Sequence, residues 1–348
     1  MGAGHPFARS NDPKGGAVPL LIKMPENRAV LGAAGPYPRS LNMLGRRQTA
    51  VQRQLRRGGL AGYEPMTQAT LLSVMQHAPR QAAFFDVGAH IGLYSAMISA
   101  VYAGNGVRTY AFEPTPDTAR ICRAVRKYNG LNYAVVEAAL SSEPGVAALY
   151  LSDKTESSNS LNPGFRGHTQ EVVVSMTTLD AFAKETGVDP YLIKIDVETQ
   201  EPQVIRGALE VIARARPWIV CEILPEVDSG DLTELLDRLV DLGYAFRQLT
   251  PELPWTLCRS AKDLHQLCLL PGRDWLLAPE EPTRQFFATV RGWLAAIAEC
   301  DETTNQLIAG GDPLPVGWNS PYSAGRTFAR LTQRRSAANR SVLGWLRR

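Results

Sequence analysis

The segment from Phe84 to Ser95 constrains the fold more than any other part of the chain, with the sequence Phe-Phe-Asp-Val-Gly-Ala-His-Ile-Gly-Leu-Tyr-Ser. An apolar run ends in an acid, glycines follow, and a helical pattern then begins. In open α/β sheets a parallel strand passes the chain to a helix in this way, at the edge where ligands bind. The segment therefore predicts a strand over 83–87, a glycine turn and a helix over 92–103.

The spacing of the glycines limits the ligand. A pyrophosphate cofactor prefers G-x-G-x-x-G, whereas here Gly88 and Gly92 are separated by three residues. Asp86 precedes the turn, and its negative charge would repel a diphosphate but suits a ligand that carries an ammonium group. S-adenosylmethionine is such a ligand, and we assign Asp86, Gly88, His90 and Gly92 to its binding. The alternative is an ordinary strand–turn–helix connection with no ligand.

A second acid follows at the end of the next strand. The run 107–112 ends at Glu113, 27 residues after Asp86, close to the offset of about 20 residues at which a ribose-binding acid ends strand two. A carboxylate there accepts hydrogen bonds from both ribose hydroxyls of an adenosine. The alternative is an exposed glutamate at a strand end.

Four charged side chains suited to catalysis or ligand binding lie close together at 191–201. A short apolar strand contains Lys194 and leads to Asp196, Glu198 and Glu201, after which Pro202 begins a helix. Acids at this position also complement a helix dipole, so capping is the alternative interpretation of Glu198 and Glu201. For catalysis, we expect Asp196 or Glu198 to accept the proton of a hydroxyl acceptor, with Lys194 adjusting the local charge. A divalent cation held by these carboxylates is the other option.

Together these motifs resemble the FkbM family of S-adenosylmethionine-dependent methyltransferases. The resemblance spans roughly 59–282 and rests on Asp86–Gly92, Phe112–Pro114 and Ile193–Glu198, with flanking similarity at Gly62–Pro65, Thr178–Phe182 and Asp274–Pro279. It implies an α/β class I Rossmann-like methyltransferase fold, a mostly parallel seven-stranded sheet with helices on both faces. It also implies O-methylation of a sugar, a glycan, or a glycosylated or polyketide-type metabolite. The sequence departs from the family pattern at His90, where Asn is frequent, and at Thr199-Gln200, where Gly and an apolar residue are frequent.

Further site residues follow from this fold. Ala138 comes after the third strand, where the adenine base lies in such methyltransferases. Glu222 ends the strand after the Asp196 strand and therefore points to the same crevice. Glu64, Asn159, Glu201 and Glu222 are our candidates for binding the acceptor, although a surface loop is the alternative for the polar stretch around Asn159.

The charge distribution divides the chain into three parts. Residues 1–60 carry ten Lys or Arg and two acids, and residues 313–348 carry seven Arg and no acid, although the whole chain has a net charge of only +3. We predict a basic N-terminal extension over 1–58, a methyltransferase domain over 59–282, and a helical C-terminal extension with a basic tail over 283–348. The helix over 283–300 is amphipathic and covers either the core or another subunit of a homo-oligomer. Val342 to Leu346 lie among arginines, so the tail either contacts a membrane surface weakly or is solvated; no nucleic acid partner is expected.

Composition excludes several other classes of protein. The five cysteines include no C-x-x-C pair, which argues against a zinc cluster or a disulfide framework and favours the cytoplasm: Cys122, Cys221, Cys258, Cys268 and Cys300. No apolar run approaches the roughly 20 residues of a membrane span. A nicotinamide-dependent oxidoreductase and a non-catalytic binding protein that keeps the fold remain alternatives to a methyltransferase.

Overall fold

The computed structural model describes residues 20–26, 37–44, 49–227, 229–258, 260 and 272–307. The basic tail and its membrane contact, Cys268 and most of the N-terminal extension lie outside the described residues. The strands are β1 (Leu20–Lys23), β2 (Ser40–Asn42), β3 (Ala83–Val87), β4 (Arg108–Phe112), β5 (Tyr133–Val136), β6 (Ala139–Leu140), β7 (Gly145–Ser152), β8 (His168–Thr177), β9 (Leu192–Ile195), β10 (Trp218–Glu222), β11 (Ala245–Gln248), β12 (Leu257–Cys258), β13 (Asp274–Ala278) and β14 (Gln306–Leu307). The helices are α1 (Ala50–Gly58), α2 (Pro65–Gln76), α3 (Leu93–Val101), α4 (Pro116–Tyr128), α5 (Leu179–Thr186), α6 (Glu201–Arg206), α7 (Leu209–Ala215), α8 (Ser229–Asp241) and α9 (Arg284–Ala298).

The central sheet has the strand order β12-β11-β13-β10-β9-β3-β4-β5. Strands β5, β4, β3, β9 and β10 are parallel, and β13 runs antiparallel between β10 and β11. The chain proceeds outward from β3 to β5 and then returns to β9 on the other side of β3, so the order reverses between β3 and β9. A ligand crevice forms at such a reversal, outside the carboxyl ends of the strands. The predicted class I Rossmann-like fold is confirmed.

The predicted count of seven strands is not confirmed, because the sheet has eight among the described residues. The additional strand is β12, whose Cys258 pairs with Phe246 and whose Leu257 pairs with Arg247 of β11. A two-residue edge strand is too short to show an alternating pattern in the sequence.

Two apolar cores lie on the two faces of the sheet. Successive side chains of β3 point in opposite directions, so that Phe84 enters one core and Phe85 the other. The Phe85 ring packs edge-on against Phe112 and Phe182, with ring centroids 5.6 and 5.4 Å apart. Helices α2, α3, α4 and α9 cover the first face, and α5 to α8 cover the second. Because both of its faces are covered, β3 is apolar apart from Asp86.

The two terminal extensions meet in a small sheet of their own. Strand β1 pairs antiparallel with both β2 and β14, which joins the N-terminal segment to the end of the described chain. Helix α9 lies against α2, and Trp293 Nε1 donates a hydrogen bond to Gln76 Oε1 at 2.9 Å. The apolar stripe of α9 therefore covers the first core of this same chain.

A hairpin of β7 and β8, extended by β6, forms a third sheet. The loop between its strands carries the polar residues around Asn159. No helix in the part of the chain that the structure describes has the length and apolar character that a bilayer span requires. The described cysteines are buried thiols without a disulfide between them: Cys122, Cys221, Cys258 and Cys300.

Candidate active site

A cavity of about 390 Å³ lies at the carboxyl ends of β3, β4, β9 and β10. This volume is within the range of about 300–1,000 Å³ that is typical of small-molecule sites. The cavity brings together most of the site residues predicted from the sequence: Glu64, Gly88, His90, Glu113, Ala138, Asn159, Lys194, Asp196, Glu198 and Glu222. Asp86, Gly92 and Glu201 are not part of its wall.

The turn after β3 is built around Gly88. Gly88 has a φ of +80°, and a Cβ there would lie far inside 3.0 Å of the Asp196 carbonyl oxygen and 2.9 Å from its carbonyl carbon. The N–H groups of Gly88 and Ala89 both donate to the Phe112 carbonyl at 3.0 Å. The absence of a side chain therefore lets the turn pack directly against the end of β9.

Asp86 has a different position from the one expected for a residue in direct contact with a ligand ammonium. It is fully buried, and its Oδ2 accepts hydrogen bonds from the backbone N–H of Ser95 at 3.0 Å and from Ser95 Oγ at 2.7 Å. The N-cap residue of α3 is Gly92, which has no side chain, so Asp86 satisfies the first turn of that helix instead. Gly92 itself has a φ of +81°, and a Cβ there would lie 2.5 Å from Cys122 Sγ.

Glu113 lies at the end of β4 and fixes two neighbouring loops. Its Oε1 accepts from the Thr115 N–H at 2.8 Å and its Oε2 accepts from the His90 N–H at 3.0 Å. Burial raises the pKa of Glu113 to about 7, although both hydrogen bonds favour the ionised form. His90 has a φ of +50°, so this hydrogen bond also holds a left-handed residue of the glycine turn. Ala138 lies nearby in the cavity wall, and its N–H donates to the Val136 carbonyl at 2.9 Å.

Lys194 and Asp196 form an ion pair at the end of β9, with 2.5 Å between Nζ and Oδ2. Burial disfavours both charges, but each stabilises the other. The Asp196 and Glu64 carboxylates therefore raise the pKa of Lys194, and the Lys194 ammonium holds the pKa of Asp196 below its usual value. Lys194 Nζ also lies 4.9 Å from the ring centroid of Tyr94, whose hydroxyl donates to Glu64 Oε2.

The other carboxyl groups near this ion pair favour the protonated form. Burial, and then the charge of Asp196, raise the pKa of Glu222 to about 11 and that of Glu198 to about 8. Glu222 is hydrogen-bonded to Asp196, so one proton is shared between two carboxyl groups. Burial raises the pKa of Glu64 to about 7, against the opposing effect of Lys194. Glu198 therefore combines a pKa near neutrality with a place in the cavity wall.

Glu201 and Asn159 differ in their relation to the cavity. Glu201 is fully buried outside the cavity wall, and its Oε1 accepts from the Val197 N–H at 3.1 Å. It therefore holds the loop after β9 and does not line the cavity. Asn159 does line the cavity, and its Oδ1 accepts from the Ser152 N–H at 2.9 Å.

Some parts of the cavity wall are not evident from the sequence. Tyr63 and Tyr94 form an aromatic pair with ring centroids 6.4 Å apart, and Arg273 precedes β13. Helix α1 contributes Ala50 and Gln54 to the cavity wall. These residues come from elements far apart in the chain, and no local motif marks them. The suggestion of a divalent cation has no support, because no group of three or more His, Cys, Asp or Glu in the described ranges is arranged to hold a metal.

Comparison with known proteins agrees with the resemblance noted in the sequence. Residues 86–246 match the family described as the methyltransferase FkbM domain. Among solved structures, the methyltransferase FkbM from Methylobacillus flagellatus KT is 18% identical, with a TM-score of 0.38, over 58% of this chain and 44% of that chain. A precorrin-6y C5,15-methyltransferase from Geobacter metallireducens GS-15 is 15% identical, with a TM-score of 0.34, over 60% of this chain and 86% of that one. M. capricolum TrmK, solved with S-adenosyl-homocysteine, is 10% identical, with a TM-score of 0.30, over 60% and 65% of the two chains. No curated protein sequence matches this chain significantly.

Proposed function

We propose, from the match of residues 86–246 to the methyltransferase FkbM domain, that this protein transfers the methyl group of S-adenosylmethionine to a hydroxyl oxygen. The acceptor that we propose is a hydroxyl of a sugar, a glycan, or a glycosylated or polyketide-type metabolite. The proposal rests above all on one observation. The glycine turn and Glu113 on one side, and the carboxyl groups around Lys194 on the other, line a single cavity.

The residues on the cofactor side of the cavity are chemically suited to bind S-adenosylmethionine. The Gly88 turn packs tightly against the end of β9 and lines the cavity. We propose that the Glu113 carboxylate, also in the cavity wall, accepts hydrogen bonds from the ribose hydroxyls. Ala138 contributes a small apolar surface beside the adenine. We propose that Asp86 acts on this side indirectly, by holding the start of α3, and that His90 presents its backbone turn to the ligand.

The reacting side of the cavity supplies a base. When bound, S-adenosylmethionine supplies an electrophilic methyl group on a positively charged sulfur. We propose that Glu198 accepts the acceptor hydroxyl proton, because its pKa of about 8 makes its carboxylate more basic than that of Asp196. Asp196 stays ionised beside Lys194 and orients the acceptor through its hydrogen-bonded partner Glu222. Holding the oxygen in line with the methyl group lowers the barrier by an amount on the order of several kcal/mol.

Cofactor choice and methyl transfer test this function separately. S-adenosylhomocysteine, but not NAD, should raise the Tm of the protein, since only the first lacks a diphosphate. Incubation of glycan and metabolite extracts with isotope-labelled S-adenosylmethionine, followed by mass spectrometry, should give a labelled methyl ether. Glu198→Gln should abolish the label but keep the Tm increase. Stabilisation by NAD alone would favour an oxidoreductase, and normal turnover by Glu198→Gln would show that Glu198 is not the base.

A further inference from the structure

Two consecutive residues next to the proposed base have an unusual backbone conformation. Glu198 has a φ of +54° and Thr199 a φ of +78°, and neither is glycine. This conformation is energetically unfavourable for residues with a Cβ, and a β-branched residue such as threonine is rarely found in it. Such a turn persists only where the surrounding structure holds it.

The loop between β7 and β8 supplies two hydrogen bonds to this turn. Ser160 Oγ donates to the Glu198 carbonyl at 2.7 Å, and Asn162 Nδ2 donates to Thr199 Oγ1 at 3.1 Å. Both donors come from one short stretch of the loop, and Ser160 and Thr199 are almost completely buried. One hydrogen bond ends on Glu198 and the other on Thr199. Together, the two bonds therefore oppose relaxation of both left-handed residues.

The two donors are themselves held in place. The Ser160 N–H and carbonyl pair with the Tyr150 backbone at 3.2 and 2.9 Å, which fixes the loop to β7. The Asn162 N–H donates to Ser160 Oγ at 3.0 Å, and Asn162 Oδ1 accepts from the Gly164 N–H at 2.9 Å. The amide of Asn162 is therefore oriented before it reaches Thr199.

The Glu198 carboxylate, in contrast, makes no hydrogen bond or ion pair with the part of the chain that the structure describes. Its direction follows from the backbone to which it is attached. We propose that Ser160 and Asn162 are positioning residues that hold the left-handed turn at Glu198 and Thr199 and thereby direct the Glu198 carboxylate into the cavity. This inference rests on the proposed function, because it takes Glu198 to be the base.

The pKa of Glu198 reports whether its side chain stays in the cavity, and it can be measured in the absence of a methyl acceptor. The charged groups that act on it are Asp196 and Glu201, which oppose its ionisation, and Arg166 and Lys194, which favour it, whereas Glu222 is protonated in this pH range. Burial is the largest cause of its raised pKa, so a side chain released toward water should titrate at lower pH. Carbon-13 NMR of protein labelled at the glutamate carboxyl carbon follows this titration, and Glu198→Gln identifies the signal.

The variants Ser160→Ala and Asn162→Ala, alone and together, test the proposal in the full-length protein. In the double variant the pKa of Glu198 should fall by at least about one pH unit toward the ordinary value of glutamate. The methyl-transfer kcat should fall about ten-fold or more, while the Kd for S-adenosylhomocysteine stays the same. Ser152→Ala is the matched control, because it removes a hydrogen bond from Lys154 in the same loop without touching the turn.

A rescue experiment separates positioning from a general loss of loop structure. Thr199→Gly should restore the Glu198 titration in the Asn162→Ala background, since glycine adopts a φ of +78° without support. An unchanged titration in the double variant, or no rescue by glycine, would overturn the positioning role. Full methyl transfer by Glu198→Gln would instead show that Glu198 is not the base. The titration experiment would still decide whether Ser160 and Asn162 hold the turn.

Discussion

Replacing Gly88 by alanine tests the central geometric claim about the cavity. Gly88 combines a φ of +80° with close packing against the end of β9, where a Cβ would lie far inside 3.0 Å of the Asp196 carbonyl oxygen. Gly187 at the end of α5 provides a matched control. It has a φ of +66°, and a Cβ there would meet no atom within 4 Å.

Both substitutions carry the backbone cost of a left-handed L-residue, and only Gly88→Ala carries a steric cost as well. Each places an L-residue in the left-handed region, which costs roughly 1–2 kcal/mol and is partly offset by about 0.4–1 kcal/mol from a stiffer unfolded chain. Gly187→Ala should therefore lower the free energy of unfolding by about 1 kcal/mol. Gly88→Ala adds steric overlap with backbone that cannot rotate away, which costs roughly 1–3 kcal/mol more. We expect a total loss of about 2–4 kcal/mol for Gly88→Ala.

Urea unfolding measures both free energies, and calorimetry measures the Kd for S-adenosylhomocysteine. Because the turn and the Asp196 carbonyl must move apart, Gly88→Ala should also weaken S-adenosylhomocysteine binding by at least about ten-fold, whereas Gly187→Ala should leave the Kd unchanged. Equal stability losses in the two variants, with equal Kd values, would refute the argument from close approach.

Three further predictions concern the charged groups. Glu113→Gln should weaken S-adenosylhomocysteine binding and cost about 1–3 kcal/mol of stability, because an amide N–H then faces the donor N–H of either Thr115 or His90; retained affinity would contradict the ribose assignment. The pKa of Glu198 is about 8 in the folded state and lower when unfolded, so the native state holds the extra proton and stability falls as the pH rises from about 4.5 to 8, at up to roughly 1.4 kcal/mol per pH unit. Unfolding curves of Glu198→Gln at pH 5 and pH 8 should differ less than those of the wild type, and an equal difference would argue against this titration. Lys194→Met should lower the free energy of unfolding by about 3–5 kcal/mol at pH 7, because the surrounding carboxylates lose their buried cation; a loss below about 1 kcal/mol in urea unfolding would contradict that role.

Local patterns in the sequence identified the sheet and the residues at its carboxyl edge. The apolar run before Asp86, the strand ending at Glu113 and the strand ending at Asp196 each reveal a strand–turn unit, because buried parallel strands are apolar on both faces. The helix over 283–300 was also evident from its stripe of apolar residues. The two-residue β12 was missed because its pattern is too short to detect.

Tertiary structure decided the roles that depend on neighbours distant in the chain. From the sequence, Asp86 and Glu201 are as suitable for ligand binding as Glu198, since all three are acids in or shortly after a parallel strand. In the folded chain Asp86 serves the start of α3 and Glu201 serves the loop after β9, because these backbone donors would otherwise be buried without an acceptor. The sequence by itself therefore determined the fold and the edge of the sheet that carries the site. Only the packing of loops from separate parts of the chain decided which carboxylates face the cavity, because burial and hydrogen-bond satisfaction are set by contacts that no local pattern encodes.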